Sequence, residues 1–188
     1  IKEVLDFSRI IHGDIAFKKV SFNSIIRDII DDFDLLIKEK KAVIKCETLP
    51  VIEVIPLQIN QLFTNLFSNS LKFSRKEITP QITITSRILS KTELESHKTL
   101  IQNCDYCEIS FKDNGIGFEQ QFADQIFLIF HRLHGRSEFP GTGIGLALCK
   151  KIVVNHNGEI FAESNETDGA LFRIILPLKH QDIQQRKA

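Results

Sequence analysis

The sequence predicts one α/β domain, on three observations. Segments with apolar residues at helical spacing take turns with short runs in which apolar and polar residues alternate. The chain has 188 residues, 43% hydrophobic and 26% charged, which suits one sizeable core with a short appendage. No run of 18 apolar residues occurs, so no stretch reads as a membrane-spanning helix. The formal net charge is +0 and the pI about 7.2, which argues against electrostatic capture of nucleic acid or of an anionic membrane.

Residues 1–12 place Ile1, Val4, Leu5, Ile10 and Ile11 in a helical pattern that stops before Gly13. So short a helix is not stable alone. It reads as the end of a longer one rather than as a signal peptide, and the lack of any Met predicts that the chain is a piece of something longer. A strand is expected over 15–20. Ser21 then suits the N-cap of a helix over 22–41, whose apolar positions include Ile25, Ile26, Ile29, Phe33 and Ile37. Its last turn is mostly basic, as the helix dipole favours. Strands follow over 43–48 and Val51–Val54, around Pro50.

Pro56 stands where a missing N–H costs little, at the start of a helix over 56–73. Its apolar stripe is Leu57, Ile59, Leu62, Phe63, Leu66, Phe67 and Leu71. Asn65, Asn69 and Lys72 share another face, at i, i+4 and i+7. Asn is a poor helix-interior residue because its amide competes with the backbone, so this face is either a solvated surface or a site.

A strand is expected over 82–89, then a polar connection or hairpin tip over 90–103. The strand over 106–112 runs into Asp113-Asn114-Gly115-Ile116-Gly117-Phe118. Asp-Asn-Gly makes a good hairpin turn. Equally, an acid at a strand end gives a carboxylate for an exocyclic amine, and the glycines leave room for a flat ring. Residues 119–133 read as two short helical pieces, and 134–140 as a mobile lid.

Gly141, Thr142, Gly143 and Gly145 stand where a helix begins, expected from Gly143, with Leu146, Leu148, Cys149, Ile152 and Val153 as apolar positions. Glycines admit close approach to the backbone, and a helix N-terminus offers unpaired N–H groups and a positive dipole end. The run is therefore an anion site or a plain glycine-rich turn. Its GxGxG spacing fits neither the dinucleotide fingerprint nor the P-loop. The helix is expected to end near Asn157, with Gly158 as the left-handed residue after it. Two strands, over 158–164 and 170–177, joined by a polar turn over 165–169, and a polar tail over 181–188 complete the chain. Of the four cysteines, Cys46 and Cys149 are expected in the core. Cys104 and Cys107 form a lone CxxC without the second pair that structural zinc needs, and reduced thiols are expected.

Four motifs stand in one order: NLFSNSLKF, DNGIGF, IFLIFHRL and GTGIGLALCKKIV. Together they strongly resemble the N box, first glycine box, F box and second glycine box of the ATP-binding catalytic domain of sensor histidine kinases, in the GHKL superfamily. The resemblance covers roughly residues 15–180, and residues 1–10 also resemble the end of the dimerisation and phosphoacceptor helix that precedes this domain. It implies a two-layer α/β sandwich, the Bergerat or GHKL fold, with a mixed, mostly antiparallel sheet and helices on one face. It divides the chain into that helix end (1–12), the ATP-binding domain (13–180) and the tail (181–188).

The resemblance also implies roles. Asn69 would give its amide oxygen to Mg²⁺, with Asn65 beside the phosphates and Lys72 paired with one of them. Asp113 would take the adenine amino group, with Phe73 beside the ring and Gly115 and Gly117 as pocket wall. Arg132 would lie near the γ-phosphate, and Gly141, Thr142, Gly143, Gly145 and Leu146 would bring backbone N–H groups to the phosphates. Asn65, Lys72 and Arg132 are thus the expected catalytic residues. Hydrolytic relatives such as gyrase and the heat-shock chaperones carry a Glu one turn before the Mg-binding Asn, as a general base. Asn65 has no such basicity, so transfer to a protein nucleophile is expected rather than fast hydrolysis.

None of the six histidines fits the family's acceptor, so the chain alone is not expected to phosphorylate itself. The partners implied are an upstream phosphoacceptor domain in a homodimeric parent and a response regulator, with no nucleic acid and no membrane contact by this segment. The implied location is the cytoplasm, whether or not the parent is anchored in a membrane. The competing readings are a degenerate nucleotide-binding regulator and a GHKL hydrolase.

Overall fold

The computed structural model describes residues 16–102, 104–133, 141–165 and 167–180. The expected helix over 1–12, the lid over 134–140 and the tail over 181–188 lie outside the described residues. The strands are β1 (Lys18–Ser21), β2 (Val43–Cys46), β3 (Val51–Val54), β4 (Gln81–Ile88), β5 (Tyr106–Asp113), β6 (Glu159–Asn165) and β7 (Gly169–Pro177). The helices are α1 (Phe22–Asp32), α2 (Asp34–Lys40), α3 (Pro56–Lys72), α4 (Lys91–Ser96) and α5 (Gly145–Asn155). Two single-turn 3₁₀ segments, Gln120–Phe122 and Gln125–Phe127, are the two short pieces expected between β5 and α5.

Five strands form a mixed sheet in the order β2-β4-β5-β7-β6, with β2 parallel to β4 and every other pairing antiparallel. The other two, β1 and β3, pair as a separate antiparallel ribbon, Lys18 opposite Val54 and Ser21 opposite Val51. Side chains alternate along β5, so Cys107, Ile109, Phe111 and Asp113 share one face. That face meets α1, α3 and α5 in one core, where Phe67 stands edge-on to Phe111 at 5.2 Å and Phe22 to Phe63 at 5.8 Å. Each such buried phenyl contributes about 1.5–3 kcal/mol. The same alternation that buries Phe111 aims Asp113 at the helix layer. No helix among the described residues is long and apolar enough to cross a membrane.

Several local expectations are corrected. The helix over 22–41 breaks at Phe33 (φ −95°, ψ 7°), which stacks against Phe67 at 6.4 Å. Ser21 holds the N-cap position without a side-chain capping bond. Residues 90–103 are not a bare connection. Ser90 and Glu93 form a capping box that starts α4, and Leu89, Leu94, Leu100 and Cys104 cover Tyr106 and Ile175 on the outer face of the sheet. The CxxC cysteines therefore serve different cores, Cys104 the small outer one and Cys107 the main one. Cys46 is exposed on the edge strand β2 rather than buried.

The last helix begins at Gly145, not Gly143, and its left-handed residue is Asn157 (φ 56°), not Gly158. The Asn157 amide bonds Val154 O at 2.9 Å and the Gly158 amide bonds Val153 O at 3.0 Å, the paired closure of a Schellman motif. Gly158 is required for another reason. A Cβ there would stand 2.1 Å from Ile175 O, where the helix exit crosses β7.

Candidate active site

A cavity of about 290 Å³ lies between the polar face of α3, the turn after β5, the end of the second 3₁₀ region and the start of α5. Asn65, Asn69 and Lys72 line it from α3, and Phe73 follows at the C-cap of that helix. The helical spacing that sets these side chains on one face puts Leu62, Leu66 and Leu71 in the core. Gln61, one turn before Asn65, also lines the cavity, and its amide donates to Asn65 Oδ1 at 3.1 Å. Asn65 Nδ2 in turn donates to Gly145 O at 3.2 Å.

The glycine run is held in place by its neighbours. Gly143 has φ 76°, a left-handed value, and its carbonyl accepts from the Phe130 amide at 3.1 Å. Arg132 Nη1 donates to Gly141 O at 3.0 Å. A Cβ on Gly141 would meet Lys72 Nζ at 2.8 Å, so the absent side chain leaves the space the ammonium occupies. That ammonium also lies 4.5 Å from the centre of the Phe73 ring. Gly141, Thr142, Gly143, Gly145, Leu146 and Arg132 all line the cavity. Lys72 and Arg132 thus converge on the same glycine from α3 and from the F box.

At the other end stands Asp113, 7% exposed and the one carboxylate among the described lining residues. Its Oδ1 accepts from the amides of Gly115 (2.9 Å) and Ala170 (3.3 Å), and its Oδ2 from the Ser70 hydroxyl (2.7 Å). Gly117 (φ 67°) lines the cavity; Gly115 does not. A Cβ on Gly115 would meet Phe73 O at 2.7 Å, so this glycine packs behind the site, joins the turn to the end of α3 and fixes the carboxylate.

Sequence reasoning missed three contributors. Ser70 falls among the apolar positions of α3, and a hydroxyl there was the available signal. Gln61 extends the Asn65–Asn69 row by one turn. Gly169 (φ 85°) was read as turn, but a Cβ there would stand 2.2 Å from Asp113 O, so it lets β7 approach the acid. Beneath the site Cys149 is wholly buried, and burial pushes its thiol up to about 12; it is a packing residue.

The family model described as histidine kinase-, DNA gyrase B- and HSP90-like ATPase matches residues 55–180, which hold every cavity residue named above. The chain belongs to this family. Cyanobacterial phytochrome A of Nostoc sp. is 37% identical over 99% of this chain and 22% of its own length. Sensor protein GacS of Pseudomonas syringae is 31% identical over 95% of this chain and 19% of its own length. The chain therefore spans about a fifth of these relatives. Among solved structures, the catalytic domain of histidine kinase ThkA matches with a TM-score of 0.69 at 21% identity, covering 89% of this chain and 99% of that one. Full-length ShkA in complex with AMPPNP matches with a TM-score of 0.72 at 19% identity, covering 94% of this chain and 34% of that one. At these identities the likeness is one of fold. It bears out the GHKL architecture expected above, α4 on the outer face being the addition.

Proposed function

We propose that this chain is the ATP-binding kinase module of a two-component sensor histidine kinase, and that it serves transfer of the ATP γ-phosphate to a histidine on a helix upstream of residue 1. The observation that carries this is the residue at position 65. An amide, not a carboxylate, stands one turn before Asn69, and it is bonded to Gln61 and Gly145. Among the described lining residues the one carboxylate is Asp113, at the other end, so no acid one turn before Asn69 takes a proton from water. The sensor kinases among the relatives and the AMPPNP-bound neighbour support the same reading.

The donor set suits a Mg-nucleotide. Asn69 offers a hard amide oxygen of the kind Mg²⁺ accepts alongside its waters. When bound, the ion would supply positive charge to the phosphates. Lys72 and Arg132 add charge from two sides, and the start of α5 adds the positive end of a helix dipole. Asp113 reads the base as an acceptor, against Phe73. The acceptor imidazole then attacks the γ-phosphorus, the bond to the β,γ-bridging oxygen breaks, and ADP leaves with that electron pair. A response regulator is the onward acceptor, and the cytoplasm, where the nucleotide is, the site of action.

Calorimetric titration of the chain with a non-hydrolysable ATP analogue, with and without Mg²⁺, tests the pocket. Mg-dependent binding is expected, lost in both Asp113→Asn and Asn69→Ala. Steady hydrolysis that survives Asn65→Ala but not Asn69→Ala would instead identify a hydrolase.

A further inference from the structure

A carboxylate has about four acceptor positions, two on each oxygen. On Asp113 the protein fills three of them: Gly115 and Ala170 amides on Oδ1, and the Ser70 hydroxyl on Oδ2. Oδ1 is saturated, so a ligand is read by Oδ2, where one position remains. Of the three donors Ser70 alone is a side chain. It is buried (4% exposed) and does not line the cavity, so it reaches a ligand only through Asp113.

The number of open positions decides which purine fits. Adenine offers one exocyclic amine beside a ring nitrogen that is itself an acceptor. Guanine offers two adjacent donors, the N1–H and the N2 amine. One open position on Oδ2 suits the first. Two open positions on that oxygen would let both guanine donors share it, while one leaves the second donor without a partner, a costly outcome in a buried site.

We infer that Ser70 is a positioning residue that sets base selectivity, by occupying the position on Asp113 that would otherwise admit a guanine edge. The inference rests on the purine-nucleotide reading of the cavity given above, and adds to it the residue that tells one purine from the other.

The test compares wild type, Ser70→Ala and Ser70→Cys by calorimetric titration with non-hydrolysable ATP and GTP analogues in Mg²⁺. In Ser70→Ala the preference for ATP over GTP is expected to fall by about tenfold or more, the weight of one hydrogen bond to a charged acceptor. Ser70→Cys keeps a weak donor of similar shape and gives an intermediate preference, which carries the test if the alanine loosens α3. A merely structural Ser70 would weaken both nucleotides by the same factor. An unchanged ratio therefore overturns the inference and leaves the kinase reading standing. A wild-type chain that binds neither nucleotide overturns both.

Discussion

Asn65 Nδ2 donates to Gly145 O at 3.2 Å, joining the middle of α3 to the first residue of α5. The two helices carry opposite walls of the cavity, so this bond sets its width. Asn65→Asp replaces the donor by an anion facing a carbonyl oxygen and adds negative charge where phosphates belong. Nucleotide affinity is expected to fall by about tenfold or more, and stability by about 1 kcal/mol, the ordinary net value of a hydrogen bond. Asn65→Ala, without the added charge, should cost less affinity. Calorimetric titration alongside urea unfolding separates the two effects.

The glycines of the second glycine box are not equivalent. Gly143 has φ 76°, and a Cβ there would meet His131 O at 2.9 Å. Gly143→Ala is expected to lose about 1–3 kcal/mol of stability, through left-handed strain and a backbone clash. At Gly145 a Cβ would lie 3.7 Å from Asn65 Cγ, an ordinary contact, and alanine is the better helix former. Gly145→Ala should be neutral or more stable by up to about 1 kcal/mol. Thermal melts of the pair decide it, and equal losses would show that the conformation of Gly143 is not what its neighbours demand.

The main elements and most of the site were legible because each rests on local spacing. Helical periodicity put Asn65, Asn69 and Lys72 on one face, and β alternation carried Asp113 to a strand end. What stayed hidden depends on distant backbone. Gly158 was read as a helix stop because glycine often is one; the reason for it is Ile175 O, on another strand. Gly169 looked like turn punctuation until β7 was seen against Asp113. The break at Phe33 leaves no gap in the apolar period, so periodicity alone joins α1 and α2 into one helix. The capping box at Ser90 and Glu93 was visible in the sequence and was masked by its polar surroundings.

On the outer face of the sheet Glu108, 4% exposed, lies between Arg173 and Arg87. Burial alone would raise its pKa, but the Arg173 and Arg87 hydrogen bonds outweigh burial and hold it below the ordinary value. A depressed folded pKa means stability that is present above the unfolded value of 4.5 and lost as pH falls through the folded one. Glu108→Gln should therefore flatten the acid limb of a stability profile measured by urea unfolding from pH 5 downward. Glu108→Ala takes one of two carboxylate partners from each arginine, since Arg87 still meets Glu93 and Arg173 still meets Glu163, and should cost about 1–2 kcal/mol at neutral pH, moderated because both arginines reach solvent.

His156 makes the converse case, and it joins the same two helices at their far ends. Its Nε2 accepts from the amide of Ile55, the N-cap of α3, at 3.0 Å, and its Nδ1 lies 2.8 Å from Ile152 O in the last turns of α5. The two bonds fix one neutral tautomer, donor at Nδ1 and acceptor at Nε2. Phe17 stands edge-on to the ring at 5.3 Å and completes its burial, to 1% exposed. Burial brings the imidazole down to about 4, against the bond to Ile152 O, which favours the charged form. The unfolded chain therefore takes up a proton between pH 6.5 and 4 that the folded chain refuses. Stability conferred by the neutral ring is complete above pH 6.5 and declines as pH falls toward 4, by up to about 3 kcal/mol. His156→Gln keeps a donor and an acceptor but does not titrate, so its profile should lack this decline. His156→Phe leaves the Ile55 amide unpaired and should be less stable by about 1–3 kcal/mol at every pH. Urea unfolding of the three chains from pH 7.5 to 4 makes the comparison. Parallel wild-type and Gln profiles would mean that the folded ring takes up its proton as readily as the unfolded one, so that burial between α3 and α5 does not hold it neutral.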